Sequence, residues 1–485
     1  MELVLDKTSN LPLHRQIRRQ FTQLIGDNQL GVGDPLPSTR AIARDLGISR
    51  LTVLKAFQAM ERAGIVGVRP GRGYYVRHGQ DDAARDAPAD LVGVPANLDV
   101  AFEESYSETV RSARDVPLSF AAGYPDVRLL PLKQVRRIIS RVTEAERCSD
   151  LLYQAPGGHP RLKTELQRYL ADRGINLSEE MDILVTNGAQ HGLDIFTRSF
   201  SGRTGVAAVE TPTYYGAIAA LTVNGIEQIA VPQDAKGLSI TALAEVCRRS
   251  SFDFLYTNPT FNNPSGMTLT ASRRNSLARL ADNHDFIILE DDTYADLGFT
   301  GARLPSLLTL ASSGRAFRIG SFSKSFIPGL RMGYIAGPRD AVKRMADLHG
   351  VNDMCSSSLS QVVLAEALAS GFYERHVRRM RRIYRKRLNA MDEALRRTLP
   401  AGCVHSTPKG GIFFWIRLPD ALDCVELQKR CNAHGVDFAP GPKFSADGRG
   451  GNYVRLNFTL LDKEDIRAGV ERFSQEMTNL MEEDS

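Results

Sequence analysis

The sequence predicts two α/β folds in series, a small winged helix-turn-helix and a large body built on a mostly parallel sheet. Three observations carry that prediction. Residues 1–78 contain 12 Lys and Arg against 6 Asp and Glu, a net +6, while the rest of the 485-residue chain nets to −1. The basic segment holds short helical patterns separated by a Gly-containing turn. From residue 118 onward, apolar strand-like runs alternate with helical patterns, as expected of a sheet covered on both faces. The chain therefore divides into a module over 1–78, a flexible tether over 79–115 and a body over 116–485. The body parts into a large domain to about 340 and a small domain over 341–480.

In the module, Leu13, Ile17, Phe21 and Leu24 recur at helical spacing and form one apolar stripe. Gly31-Val32-Gly33-Asp34-Pro35-Leu36-Pro37 cannot continue that helix and reads as a loop. Ser38 starts a short helix with Ile42 and Leu46 inward, ended by Gly47. Ser49 starts the next, with Val53, Leu54, Phe57 and Met60 inward and Arg50, Thr52 and Lys55 outward. Strand-like runs Ile65–Val68 and Tyr74–Val76 flank Arg69-Pro70-Gly71-Arg72-Gly73, a hairpin that offers the Arg72 guanidinium to a minor groove. A positive module of this shape suits the backbone of double-stranded DNA.

Leu36-Pro37-Ser38-Thr39-Arg40, Leu46-Gly47-Ile48-Ser49-Arg50-Leu51-Thr52-Val53 and the Arg69–Gly73 hairpin together resemble the winged helix of the GntR family. The resemblance implies that Arg40, Ser49, Arg50, Thr52 and the wing Arg72 touch phosphates and base edges of promoter DNA, with Lys55 beside them. Leu51 stands where relatives often carry Asn or Thr, which leaves a thymine-methyl contact or none at that position.

Hydrophobic residues make up 42% and charged residues 24% of the chain, enough for a sizeable core. No apolar run approaches the ~18 residues that span a bilayer, and the N-terminal residues lack the pattern of an export signal. Cys148, Cys247, Cys355, Cys403, Cys424 and Cys431 are scattered without C-x-x-C spacing. The expectation is a reduced, cytoplasmic protein with free thiols and no metal site.

In the body, the runs Asp182–Thr186, Gly205–Val209, Phe252–Tyr256, Phe286–Leu289, Ala316–Ile319 and Met332–Ala336 each lead into polar residues, and ligands of open α/β sheets gather at such ends. Lys324, in Ser321-Phe322-Ser323-Lys324-Ser325-Phe326, lies seven residues before Arg331. A lysine among small hydroxyls at a strand end suits a Schiff base with pyridoxal 5′-phosphate, and the hydroxyls and Arg331 suit its phosphate. Asn187-Gly188-Ala189-Gln190 follows a strand and opens a helix, where free amides bind phosphate.

Other positions admit two readings each. Tyr214 stacks on a cofactor ring or simply packs; Asn263 donates to a phenolate oxygen or forms an Asn-Pro turn. Glu290, Asp291 and Asp292 crowd one strand end and require cations or donors. Asp291 is preferred over Asp292 as partner of a pyridinium nitrogen, because Tyr294 follows at the right spacing to share the ring's 3′-oxygen. Arg455, in Val454-Arg455-Leu456-Asn457-Phe458, is a salt-bridged core arginine or a fork for a ligand's acid group. Residues 375–387 hold the densest basic run, with Val377, Met380, Ile383 and Tyr384 at helical spacing. They read as a helix whose charged face is solvated or supports bent DNA.

In order and spacing these body motifs resemble fold-type I pyridoxal-phosphate enzymes, in particular class I/II aminotransferases. The resemblance implies Lys324 as the Schiff-base lysine, with Asp291 on the pyridine nitrogen, Asn263 and Tyr294 on the 3′-oxygen and Tyr214 on the ring face. Ala189, Gln190, Ser321, Ser323 and Arg331 would hold the phosphate, and Tyr153 would be lent to a neighbour's phosphate in a homodimer. Arg455 would take the acid group of a small amine or amino-acid effector. His191 replaces a residue that is frequently Gln in relatives. Both halves together look like the MocR subfamily of GntR regulators. That likeness implies a transcriptional regulator that senses an amine through an external aldimine at Lys324, in a homodimer that is head-to-tail with domain swapping. The alternatives are a working aminotransferase with a DNA tether and a sensor of pyridoxal phosphate itself.

Overall fold

The computed structural model describes residues 5, 13–26, 29–31, 33–62, 65–69, 73–76, 116–144, 148–200, 205–300, 303–312, 314–446 and 448–483. The expected tether over 79–115 and the wing-tip Arg72 lie outside the described residues. The chain divides into two compact units, Met1–Leu98 and Asp99–Ser485.

In the first unit, α1 (Leu13–Gly26), α2 (Thr39–Asp45) and α3 (Arg50–Arg62) precede an antiparallel hairpin of β1 (Val66–Arg69) and β2 (Gly73–Val76). The starts of α2 and α3 are set locally. Ser38 Oγ accepts the Ala41 N–H and Ser49 Oγ the Thr52 N–H, both at 3.1 Å. Gly47 turns the chain between them at φ +61°, a conformation that costs glycine little. Ile17, Phe21, Ile42, Val53, Phe57 and Met60 are buried together, with the Phe21 and Tyr74 rings edge-on to Phe57 at 5.3 and 5.0 Å. Leu13, Leu24 and Leu54 stay half-buried, while Ile25 and Ala56 occupy inner positions that the simple stripe omits. The loop before α2 extends the wing: Leu36 N–H donates to Tyr74 O at 2.8 Å and Val76 N–H to Asp34 O at 2.9 Å.

The second unit contains β3 (Leu118–Ser119), β4 (Met181–Thr186), α4 (Ala189–Arg198), β5 (Val206–Thr211), β6 (Glu227–Asp234), β7 (Gly237–Leu238), β8 (Phe254–Thr257), α5 (Ala271–His284), β9 (Ile287–Asp291), β10 (Ala316–Ser321) and β11 (Gly333–Pro338). Eight of these strands form one sheet in the order β4-β11-β10-β9-β8-β5-β6-β7. The run from β10 through β9, β8 and β5 to β6 is parallel, whereas β11 is antiparallel to both its neighbours. The segment between Ser321 and Gly333 is too short for a helical crossover, so the chain returns antiparallel. Apolar clusters cover both faces of the sheet. The parallel strands, and β4 with them, therefore deliver their C-terminal ends to one edge.

After α6 (Arg339–Asp353) and α7 (Phe372–Thr398) come β12 (Val404–His405), β13 (Phe413–Arg417), β14 (Val436–Asp437), β15 (Ala439–Pro440), β16 (Tyr453–Asn457) and α8 (Lys463–Glu483). An antiparallel sheet β12-β13-β16-β15 shares a core with α7 and α8. β3 pairs with β14, Leu118 opposite Val436, and Leu118 and Phe120 belong to this same core. The first residues of the body thus pack with its last. The basic run lies on α7, with Val377, Met380 and Tyr384 buried. Among the described residues, Cys247, Cys355, Cys403, Cys424 and Cys431 are free thiols, and no helix is long and apolar enough to cross a membrane.

Candidate functional site

A cavity of about 560 Å³ opens where the sheet's C-terminal ends meet the loop 122–130 and β16. Ala189, Gln190, Tyr214, Asn263, Asp291, Tyr294, Ser321, Ser323, Lys324, Arg331 and Arg455, far apart in the chain, all line it. Tyr153 does not; it stands 82% exposed elsewhere on the body.

One end of the cavity gathers groups whose chemistry suits an anion. α4 begins after Gly188, so the amides of its first turn face out without helical partners. Gly188 sits at φ +85°, and a Cβ there would lie 2.9 Å from Arg331 Nη2. Only glycine lets the guanidinium stand so close to the turn. Arg331, itself left-handed at φ +53°, donates from Nη2 to Asn187 O at 3.2 Å and from Nη1 to Ser323 Oγ at 3.4 Å. Ser321 Oγ accepts the Ser323 N–H at 3.2 Å. Gln190 Nε2 donates to Gly216 O at 2.7 Å, while its Oε1 is buried without a partner among the described residues.

His191 acquires a role here. Its Nδ1 accepts the Asn187 N–H at 3.1 Å, and its ring meets His349 edge-on at 4.9 Å. Asn187 Nδ2 donates to Asp353 Oδ2 at 2.8 Å, and His191 Nε2 lies 3.6 Å from the same oxygen. His191, His349 and Asp353 bring their ligand atoms within 4.8 Å. With Nδ1 accepting, however, Nε2 of a neutral His191 carries the ring hydrogen and faces the carboxylate as a donor. Burial holds the imidazole below its usual range. The group pins the turn that leads into α4.

The three consecutive acids separate by strand alternation. Glu290 and Asp292 point to one face, where Arg318 Nη2 meets Asp292 Oδ2 at 2.6 Å and Nη1 meets Glu290 Oε2 at 3.3 Å, with Arg274 3.4 Å from Glu290. Asp291 points to the other face and receives only neutral donors: Tyr256 Oη at 2.8 Å, Thr293 Oγ1 at 2.7 Å and Thr293 N at 3.2 Å. Burial pushes its carboxyl up, against these hydrogen bonds. The pairing of Asp292 with Arg318 leaves Asp291 as the acid that lines the cavity beside Lys324.

Below it, Asn258 Nδ2 donates to Asp291 O at 2.5 Å, and Asn258 Oδ1 accepts the Asn263 N–H at 2.7 Å. Glu210 accepts from Asn258 N, from Asn262 Nδ2 at 2.9 Å and from Gln233 Nε2 at 3.1 Å; burial pushes it up to about 7. Tyr256, Asn258, Glu210 and Thr293 were not anticipated. The one signal for them was a polar residue before proline at a strand end, Thr257-Asn258-Pro259.

Lys324 Nζ donates to Gly123 O at 2.6 Å, and burial, with Arg331 and Arg455 nearby, pushes the amine down to about 8. Arg455 is 1% exposed, and among the described residues no carboxylate pairs with it. It donates from Nη1 to Asn263 Oδ1 at 2.9 Å and from Nη2 to Ala121 O, its carbon lies 4.1 Å from the Phe413 ring centroid, and its Nε has no partner among the described residues. Asn457 Nδ2 donates to Ala122 O at 2.5 Å. Three successive carbonyls, of Ala121, Ala122 and Gly123, thus hold Arg455, Asn457 and Lys324. Asn263 Nδ2 reaches Tyr294 Oη at 3.4 Å, and burial raises the Tyr294 phenol.

In the module, Arg40, Arg50 and Lys55 are exposed, with Arg50 Nε donating to Thr39 Oγ1 at 3.3 Å. Ser49 Oγ is the cap of α3 and lies 2.8 Å from Thr52 Oγ1, so these two hydroxyls are tied to each other.

The family profile described as "Aminotransferase class I and II" matches residues 118–473. The chain belongs to that family. The profile "Bacterial regulatory proteins, gntR family" matches residues 13–76. The chain is 29% identical over 474 residues to the probable rhizopine catabolism regulatory protein MocR of Rhizobium meliloti, covering 96% of this chain and 94% of that one. It is 28% identical to the HTH-type transcriptional regulator YdfD of Bacillus subtilis, covering 96% of each. The aminotransferase body is similar in structure to kynurenine aminotransferase of Pyrococcus horikoshii, crystallised with PMP, with a TM-score of 0.77 and 30% identity over 81% of this chain and 99% of that one. A GntR-type helix-turn-helix fused to a fold-type I aminotransferase body is the make-up of the MocR-type regulators, and pyridoxal 5′-phosphate is the cofactor that the body's family implies.

Proposed function

We propose that this chain is a DNA-binding sensor in which the aminotransferase body recognises a small molecule bearing both an amine and an acid group. The observation that carries the reading is Arg455, a buried guanidinium without a carboxylate partner among the described residues, facing the same cavity as Lys324. An uncompensated buried cation is costly, and an incoming acid group would relieve that cost.

The cavity fits pyridoxal phosphate. Gly188, Arg331, Ser321, Ser323 and the first amides of α4 suit its phosphate, Asp291 its ring nitrogen, Asn263 and Tyr294 its 3′-oxygen, and Tyr214 its ring face. Bound through Lys324, it supplies a carbon that primary amines attack, which makes the site selective for amines. With its amine pushed down to about 8, a useful fraction of Lys324 is neutral near pH 7 and able to bond or to pass a proton. Arg455 orients the ligand by its acid end through a bidentate fork. The carbonyls of Ala121, Ala122 and Gly123 feel both events, because they hold Arg455 and Lys324. That strap follows directly on β3 and lies a few residues beyond the tether expected from sequence. A shift in it is a route from ligand to module. The module grips promoter DNA through Arg40, Arg50 and Lys55 on α2 and α3 and Arg72 in the wing.

We further propose a homodimer in which Tyr153 reaches the partner's phosphate site. The exposed apolar side chains Val127, Leu152, Tyr153, Val351 and Met354 support such a contact.

The test is an absorbance scan of the purified chain with pyridoxal phosphate, followed by amino-acid and amino-sulfonate titration. The expected result is a visible band absent from Lys324→Ala, perturbed by one class of amine, with promoter affinity changing over the same titration. Arg455→Met should weaken the amine response at least tenfold while retaining the band. A colourless protein, or promoter affinity indifferent to every amine that perturbs the band, overturns the proposal. The amine retained at Lys324 also suits full transamination. Steady turnover of amino acid to keto acid would favour an enzyme with a DNA tether.

A further inference from the structure

A second cavity, of about 600 Å³, lies behind β9 and is walled by α7, the start of α5 and residues 295–300 and 303–304. It is distinct from the Lys324 site: Asp292 and Arg318 line it from the strand face opposite to Asp291. Seven cationic side chains and two carboxylates surround it.

The charges divide into an inner and an outer group. Inside, Arg318 is neutralised by Asp292 at 2.6 Å and Glu290 at 3.3 Å, and Arg173 by Asp296 and Glu374, both at 2.7 Å. Outside, Arg303, Arg382, Arg385 and Lys409 are exposed, and Arg381 is half-buried with its Nε on Asp296 O at 2.5 Å. Among the described residues, none of these five has a carboxylate partner. Arg381 and Arg385 are one helical turn apart on α7, so their charges converge instead of spreading around the helix. At the inner end, Asp292 Oδ1 is buried and has no hydrogen-bond partner among the described residues, an acceptor waiting for a donor. The Phe261 and Phe299 rings lie along the wall.

We propose that this cavity binds a small organic phosphate with at least two negative charges and a hydroxyl or amino donor. Its phosphates would meet the outer cations, its donor Asp292 Oδ1, and any planar part the two phenylalanines. Like-charged guanidiniums in a recess concentrate positive potential, and phosphates accept from arginine forks with good geometry. Occupancy would bear on Asp292 and thereby on the strand that carries Asp291.

The experiment is isothermal titration of the full-length chain, loaded with pyridoxal phosphate, with inorganic pyrophosphate and with ATP. Both are expected to bind once per chain. The exposed double reversal R382E/R385E should weaken each at least tenfold, with the cofactor's absorbance unchanged. The matched reversal R378E/R379E, on the same helix but outside the cavity, should leave binding intact. Absence of binding, or equal weakening by both double reversals, overturns the proposal. So does displacement of pyrophosphate by a short duplex of unrelated sequence, which would make this a nucleic-acid surface.

Discussion

Burial sets the chemistry of Lys324. Its amine lies among Arg331, Arg455 and the Gly123 carbonyl, where the charged form is disfavoured and the pKa falls to about 8. A lysine captures a carbonyl only when neutral, and a lowered pKa means that the neutral fraction grows as pH rises through about 8 rather than through the ordinary value of 10.5. The initial rate at which cofactor-free protein captures pyridoxal phosphate, followed by absorbance, is therefore expected to rise to a plateau with a midpoint near 8. A midpoint near that of free lysine would contradict the burial. Lys324 and Asp291 were legible in the sequence because they stand at or just past the ends of apolar strands, where few structural reasons for them exist, and Arg331 because it lies seven residues beyond Lys324. Their supports were not. Tyr256 lies inside a strand, and its bond to Asp291 depends on the alignment of β8 with β9, which neither strand encodes alone. The same holds for His191, whose partners Asn187 and Asp353 meet it only in three dimensions.

At the scale of the element, β9 works because alternation sends Asp291 one way and its two acidic neighbours the other. Arg318, 3% exposed, compensates both Glu290 and Asp292. Arg318→Met would leave two buried carboxylates with too few cations, and breaking such a pair from one side costs about 3–5 kcal/mol. The urea midpoint of the body should fall accordingly, whereas Arg249→Ala, which breaks the exposed pair with Glu245, should not move it measurably. In α3, the roles of neighbouring residues separate. Ser49→Ala removes the cap on the Thr52 N–H and should cost the module about 1 kcal/mol. Arg50→Ala should leave the melting temperature unchanged but weaken DNA binding and lower the salt slope by about 1. Loss of stability with Arg50→Ala would mean that its bond to Thr39 holds α2 against α3. Six of the sheet strands were legible as apolar runs. β6 was not, since Glu227, Gln228 and Gln233 interrupt it, and neither was the reversed direction of β11, which follows from the length of the segment before it.

For the whole molecule, sensing requires that ligand at the body and DNA at the module bias one shared equilibrium, and linkage makes that bias reciprocal. If an amine changes promoter affinity by a given factor, promoter DNA must change amine affinity by the same factor, whatever path joins the two units. Typical couplings of about 1–3 kcal/mol correspond to factors of roughly 5–150. Two titrations measure it: promoter binding by anisotropy with and without saturating amine, and amine binding by cofactor absorbance with and without saturating promoter. The two ratios are expected to agree within error and to differ from one. Arg455→Met should bring both toward one together, since a ligand held without its acid end no longer distinguishes the two states. Amine binding that is identical with and without promoter would uncouple the units. The body would then act on amines independently of DNA, as an aminotransferase tethered near its genes, even if the Lys324 site were fully loaded.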